Sequence, residues 1–134
     1  MNRLVRRLGW LAGMAILVNA CDPGVQAIRI AAQDFRFDQM EVRAIAGRPL
    51  RLTIVNEGRE PHEFASPLLS DPRVRLSADP SLDAVPRQSG IRIPPGRSLE
   101  LTLWVPPGVY LFHCRVRGHK GMTGILIVEE PPSS

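Results

Sequence analysis

From Val25 onward, apolar residues recur at every second position in short runs, and Gly, Pro or Asn punctuates the runs. A period of two is the repeat of a half-buried strand, and no stretch carries the 3.6-residue repeat of an amphipathic helix. The pattern predicts an all-β domain built as an antiparallel sandwich or barrel. At 134 residues the chain has room for one such core and needs no second.

Ala27 to Ala31 reads as the first strand, and Asp34 to Phe37 leads into a second run from Met40 to Ala44. After the turn at Ala46-Gly47-Arg48-Pro49, Leu50, Leu52 and Ile54 share one face. That run ends at Asn56-Glu57-Gly58, a loop signal because Asn and Gly tolerate positive φ, and Pro61-His62-Glu63-Phe64 follows. Prolines at 67, 72, 80 and 86 make residues 66–90 mostly irregular surface chain, with room for one short helix or edge strand. Regularity resumes at Leu99 to Leu103, turns at Pro106-Pro107-Gly108, and continues in Val109 to Cys114 and Gly124 to Glu129. Strand parity sends Tyr110, Phe112 and Cys114 to the core and turns Val109, Leu111 and His113 away from it.

The first twenty residues, MNRLVRRLGWLAGMAILVNA, set Arg3, Arg6 and Arg7 before an apolar run from Leu8 to Val18 and a small residue at Ala20. This is the layout of a signal peptide, and the apolar run is short for a bilayer span. Export to a periplasm is the expectation. Val18-Asn19-Ala20-Cys21 resembles a bacterial lipobox, which makes Cys21 a lipidation candidate and gives the chain a route to an inner-membrane anchor, with Asp22 resembling the retention signal. The expected organisation is a signal segment over residues 1–20, a linker over 21–26, the β domain over 27–130 and a tail over 131–134. Without the leader, 17 basic residues lose three and leave 14 against 13 acids, a nearly neutral chain that argues against a nucleic-acid partner.

Two cysteines in an exported chain raise the alternative of a Cys21–Cys114 disulfide. The surroundings of Cys114 favour a metal. Cys114, His119 and Met122 are spaced Cys-x4-His-x2-Met on a loop short enough to wrap one ion, and His62, at the end of a different strand, is the fourth donor that a sandwich can bring alongside. One thiolate, two imidazoles and a weak thioether suit a copper ion cycling between Cu(I) and Cu(II). Zinc takes four firm N, S or O donors, among which Met is not usual.

Two motifs, NEGREPHEF from Asn56 to Phe64 and YLFHCRVRGHKGMTGILIV from Tyr110 to Val128, resemble the first-histidine loop and the ligand hairpin of the cupredoxin family, which includes plastocyanin, azurin and pseudoazurin. The resemblance covers residues 27–129. It implies a Greek-key β-sandwich, with His62, Cys114 and His119 as equatorial ligands, Met122 as the axial one, and one copper ion as cofactor. It also implies electron transfer with a redox protein such as a cytochrome or oxidase, rather than enzymatic turnover. A partly exposed His119 edge is then the expected route for the electron, and Arg115, Arg117 and Lys120 form a positive rim for an acidic partner.

Glu63 departs from the family, in which Asn commonly follows the first histidine and ties the ligand loops together. Its backbone N–H remains free to approach the Cys114 sulfur. Its carboxylate has three fates open to it: exposure, pairing with Arg115 or Arg117, or competition as an oxygen ligand. His113-Cys114 is similar to an element of multicopper oxidases, but three histidines in the whole chain exclude a trinuclear cluster. Two rival functions use the same residues. Copper delivery to an acceptor, or accessory work in metal uptake, needs the same donors; a thiol nucleophile at Cys114, with His119 or His62 as base, has no use for Met122.

Overall fold

A computed structural model of the chain describes residues 24–78 and 90–133. Residues 1–23, which hold the expected signal segment and Cys21, lie outside the described residues, as do residues 79–89 of the proline-rich stretch and Ser134.

Ten strands and one 3₁₀ turn make up the described chain. In order they are β1 (Gln26–Gln33), β2 (Arg36–Phe37), β3 (Glu41–Ile45), β4 (Leu50–Asn56), β5 (His62–Ala65), the 3₁₀ turn Pro67–Leu69, β6 (Arg75–Ala78), β7 (Gly90–Ile93), β8 (Ser98–Trp104), β9 (Gly108–His113) and β10 (Thr123–Glu129). They form two five-stranded sheets, one ordered β2-β1-β4-β8-β6 and the other β3-β10-β9-β5-β7. The β1–β4 and β3–β10 pairs are parallel and the remaining pairs antiparallel. Apart from the β1–β2 and β9–β10 hairpins, consecutive strands cross between the sheets, as the expected Greek-key sandwich requires.

Alternation in the sequence becomes the core. In the first sheet Leu50, Leu52 and Ile54 sit opposite Leu103, Leu101 and Leu99, and all six are buried. The second sheet answers with Phe64, Ile91, Ile93, Tyr110, Phe112, Leu126 and Val128, all buried. Each fully buried Leu or Phe contributes roughly 1.5–3 kcal/mol of transfer free energy. Val109 and Leu111 face out, and Cys114, one residue beyond β9, turns in with Tyr110 and Phe112 as parity predicts.

Two local readings are corrected. β7 lies where irregular chain is expected: Ile91 and Ile93 face in across an exposed Arg92, but a four-residue strand stopped by Pro94 is too short for its alternation to stand out. The 56–58 loop does not rest on positive φ, because the only residues with positive φ among those described are Phe35 and five glycines other than Gly58. Asn56 ends a strand, and its buried side chain donates to the carbonyls of Glu60 and Ile93 while accepting from Gly58 N–H.

Phe112 links the core to the ligand loop. It stacks on Phe64 at 5.6 Å and meets Phe37 edge-on at 5.1 Å. Gly124 stands opposite it across β9–β10, and a Cβ at Gly124 would overlap the Phe112 ring. Gly124→Ala is therefore expected to destabilise the fold by about 1–3 kcal/mol through overpacking, read as a lower denaturant midpoint at unchanged slope.

Candidate metal centre

Strand pairing assembles the centre. β5 runs antiparallel to β9 with Ala65 opposite His113, so His62, at the other end of β5, comes level with the chain just beyond Cys114. Glu63 N–H donates to Cys114 Sγ at 3.3 Å, the contact expected from the sequence. The loop beyond Cys114 closes on itself: Cys114 N–H donates to the Met122 carbonyl at 3.0 Å, Met122 N–H to the His119 carbonyl at 3.2 Å, and His119 N–H to that of Val116 at 3.1 Å. Cys114, His119 and Met122 are thus held by one another's backbones.

The donor atoms of His62, Cys114 and His119 all lie within 4.8 Å of one another. Cys114 Sγ is 3.5 Å from His119 Nδ1 and 3.9 Å from His62 Nδ1. The three residues are 7 %, 2 % and 1 % exposed, in that order, and Met122 is 1 % exposed at the end of the same loop. Both imidazoles turn the same nitrogen toward one sulfur. A single S–H can satisfy only one of them, whereas a soft cation satisfies all three donors together, so the residues present fit copper. Burial pushes the His62 imidazole below its ordinary pKa and the adjacent His119 adds to this, against the pull of Asp34 and Glu60. Both effects favour the neutral imidazole, the form with a lone pair to give.

The far side of each ring meets a carboxylate. His119 Nε2 lies 3.3 Å from Glu60 Oε2, and His62 Nε2, buried without a hydrogen-bond partner, lies 3.7 Å from Asp34 Oδ1. Asp34 in turn accepts from Arg59 N–H at 2.9 Å. Nothing in the sequence near the ligands signals Asp34, because it belongs to the β1–β2 turn and reaches the site only through folding. The next residue, Phe35, has φ of 69° and sets its ring edge-on to His119 with centroids 5.3 Å apart. The second position of a two-residue turn with positive φ ordinarily carries Gly. Holding a phenyl residue there costs about 1–3 kcal/mol, strain of the kind found at functional sites.

Four expectations for this end of the molecule are answered. His119 presents no open edge, since Phe35 and Glu60 cover it and leave it 2 % exposed. Glu63 is neither exposed nor a competing ligand; its carboxylate pairs with Arg115, with the guanidinium Nε 2.6 Å away. Arg115 thereby leaves the expected positive rim, in which Arg117 and Lys120 remain exposed. His113 sits on the outer face of β9, apart from the three clustered donors.

No protein-family model matches the chain, and no curated protein matches it. Solved structures do. Auracyanin A, a "blue" copper protein from the green thermophilic photosynthetic bacterium Chloroflexus aurantiacus, is 25 % identical over 79 % of this chain and 100 % of its own, with a TM-score of 0.54. Reduced auracyanin from the photosynthetic bacterium Roseiflexus castenholzii is 22 % identical over 80 % of this chain and 98 % of its own, with a TM-score of 0.57. Auracyanin B is 23 % identical over 80 % and 89 %, with a TM-score of 0.56. The chain has the cupredoxin fold.

Within that fold, Gly58 leaves no room for a side chain behind the His62 ring. A Cβ there would lie 2.7 Å from His62 Nε2 and closer still to the Asp34 carboxylate. Gly58→Ala is expected to cost about 1–3 kcal/mol of stability and, by turning the His62 ring, at least tenfold in Cu(II) affinity, checked by competition with a chelator of known strength. Unchanged affinity would mean that His62 is not positioned by this contact.

Proposed function

We propose that this chain is an exported, mononuclear copper protein that carries single electrons, with Cys114 Sγ and the Nδ1 atoms of His62 and His119 as its firm ligands and Met122 as the weaker fourth. The observation that carries the reading is the convergence of both Nδ1 atoms on Cys114 Sγ inside a closed shell. A bound copper ion supplies the one-electron couple.

The residues around it supply the rest. Glu63 N–H, donating to the sulfur, spreads the thiolate charge, and the Glu63–Arg115 pair fastens the two ligand loops to each other. Phe64, Phe112 and Met122, each about 1 % exposed, keep water from the sulfur side. Backbone ties from Cys114 to Met122 and from Met122 to His119 resist rearrangement of the loop, which suits a site that changes charge without changing ligands. Donors buried this deeply offer no open edge to a substrate, nor an easy hand-off of metal to an acceptor, so electron transfer is preferred to catalysis and to copper delivery.

The electron's way out runs through Phe35, the residue that covers His119 and is itself 61 % exposed. A redox partner, such as a cytochrome or oxidase with an acidic face, would dock over Phe35 with Arg117 and Lys120 near the rim. Residues 1–20 would direct export to the periplasm, and Cys21 would carry a lipid if the lipobox is read.

Cys114→Ala is expected to abolish the intense visible band of the Cu(II) protein. Met122→Ala should keep copper bound and shift the potential. The wild type should retain its copper through repeated reduction and reoxidation by a cytochrome. Stoichiometric loss of copper to an apo-acceptor would replace this reading with delivery, and colour that survives Cys114→Ala would overturn the site.

A further inference from the structure

His62 and His119 face the metal pocket with the same nitrogen, and what stands behind each ring comes from a different part of the chain. Asp34 belongs to the β1–β2 turn and Glu60 to the loop between β4 and β5. Their oxygens lie 3.7 and 3.3 Å from the two Nε2 atoms. Asp34 is held by Arg59 N–H, and Gly58 leaves the space in which its carboxylate meets the His62 ring. Glu60 is fixed at its backbone, where its carbonyl accepts from the buried Asn56 amide at 2.8 Å. The turn that presents Asp34 also holds Phe35 in a left-handed conformation against His119.

An imidazole beside an anion keeps its proton on the nitrogen facing that anion and leaves the opposite nitrogen free to bind metal. Two such anions also place negative charge close to the ion, which favours its higher oxidation state. We infer that Asp34 and Glu60 are paired positioning residues for the metal centre: they hold both histidines in the Nε2–H form, aim both Nδ1 lone pairs at the Cys114 side, and lower the reduction potential by favouring Cu(II) over Cu(I). The inference rests on the copper reading above. Asp34 is 35 % and Glu60 59 % exposed, so solvent screens both, and the lower end of the usual range for such outer partners, about tenfold each, is the expected size.

Two measurements test it. In the copper-free wild type, long-range proton–nitrogen NMR of the imidazoles should report a proton on Nε2 of both His62 and His119; a proton on Nδ1 of either ring would overturn the assignment without any variant being made. In the copper protein, the ratio of Cu(II) to Cu(I) affinity is followed through the midpoint potential in the wild type, Asp34→Asn, Glu60→Gln, the double variant, and Glu129→Gln at the opposite end of β10. Each of the first two should lose about tenfold in Cu(II) preference, which is a rise of about 59 mV for a one-electron couple. The double variant should lose more than either, and Glu129→Gln should match the wild type. Potentials that stay at the wild-type value or fall, with copper bound and the visible band intact, would overturn the inference and leave the copper reading standing. A wild type that takes up no copper would overturn both.

Discussion

Three polar side chains converge in a place that is otherwise core, and the rest of the structure answers to that demand. A buried imidazole or thiol without a partner costs on the order of 1–3 kcal/mol. His62, Cys114 and His119 meet that cost together, by facing one another across distances that a single soft ion would bridge. Their juxtaposition is made by strand pairing more than by the ligand loop itself. β5 and β9 must be neighbours, in the register set by Ala65 and His113, before His62 can reach the sulfur at all. Core residues such as Phe112 and Phe64 therefore matter to the site, because they fix the sheet on which both loops are mounted.

Around the three donors lies a second layer, and it distinguishes this chain from what the family resemblance implies. Glu63 stands where Asn commonly ties the loops, and the tie is remade as an ion pair with Arg115 while the backbone contact to sulfur is kept. His119, expected to show an open edge, lies beneath Phe35 and beside Glu60. The β1–β2 turn thus acts as a cap, and the left-handed backbone at Phe35 is the strain it carries. Electrons leaving by His119 would have to pass the phenyl ring, so the surface a partner meets is set by that turn as well as by the ligand loop.

How much of this could be read from the sequence follows from how local each signal is. The sandwich was legible because strand period is a property of neighbouring residues, and the inward turn of Cys114 followed from parity alone. Cys114, His119 and Met122 were legible because they share one loop; His62 was found by its strand-end position and the motif around it. Asp34, Phe35 and Glu60 carried no such mark, since their meaning lies in contacts between segments far apart in the chain. Asn56 and Gly58 signal backbone freedom in the sequence, yet one acts through its amide and the other through its missing Cβ. β7 is hidden because three residues between a glycine and a proline offer too little alternation to see.

In the proposed function, Cys114, His62 and His119 bind one copper ion in a shell that is already in place and survives a change of oxidation state. X-ray absorption at the copper edge of the loaded wild-type protein, recorded oxidised and then reduced, tests it most directly. One sulfur and two imidazole nitrogens should appear at short range in both states, with only small changes in distance. A copper ion without a short sulfur neighbour, or one that loses an imidazole on reduction, would contradict the account.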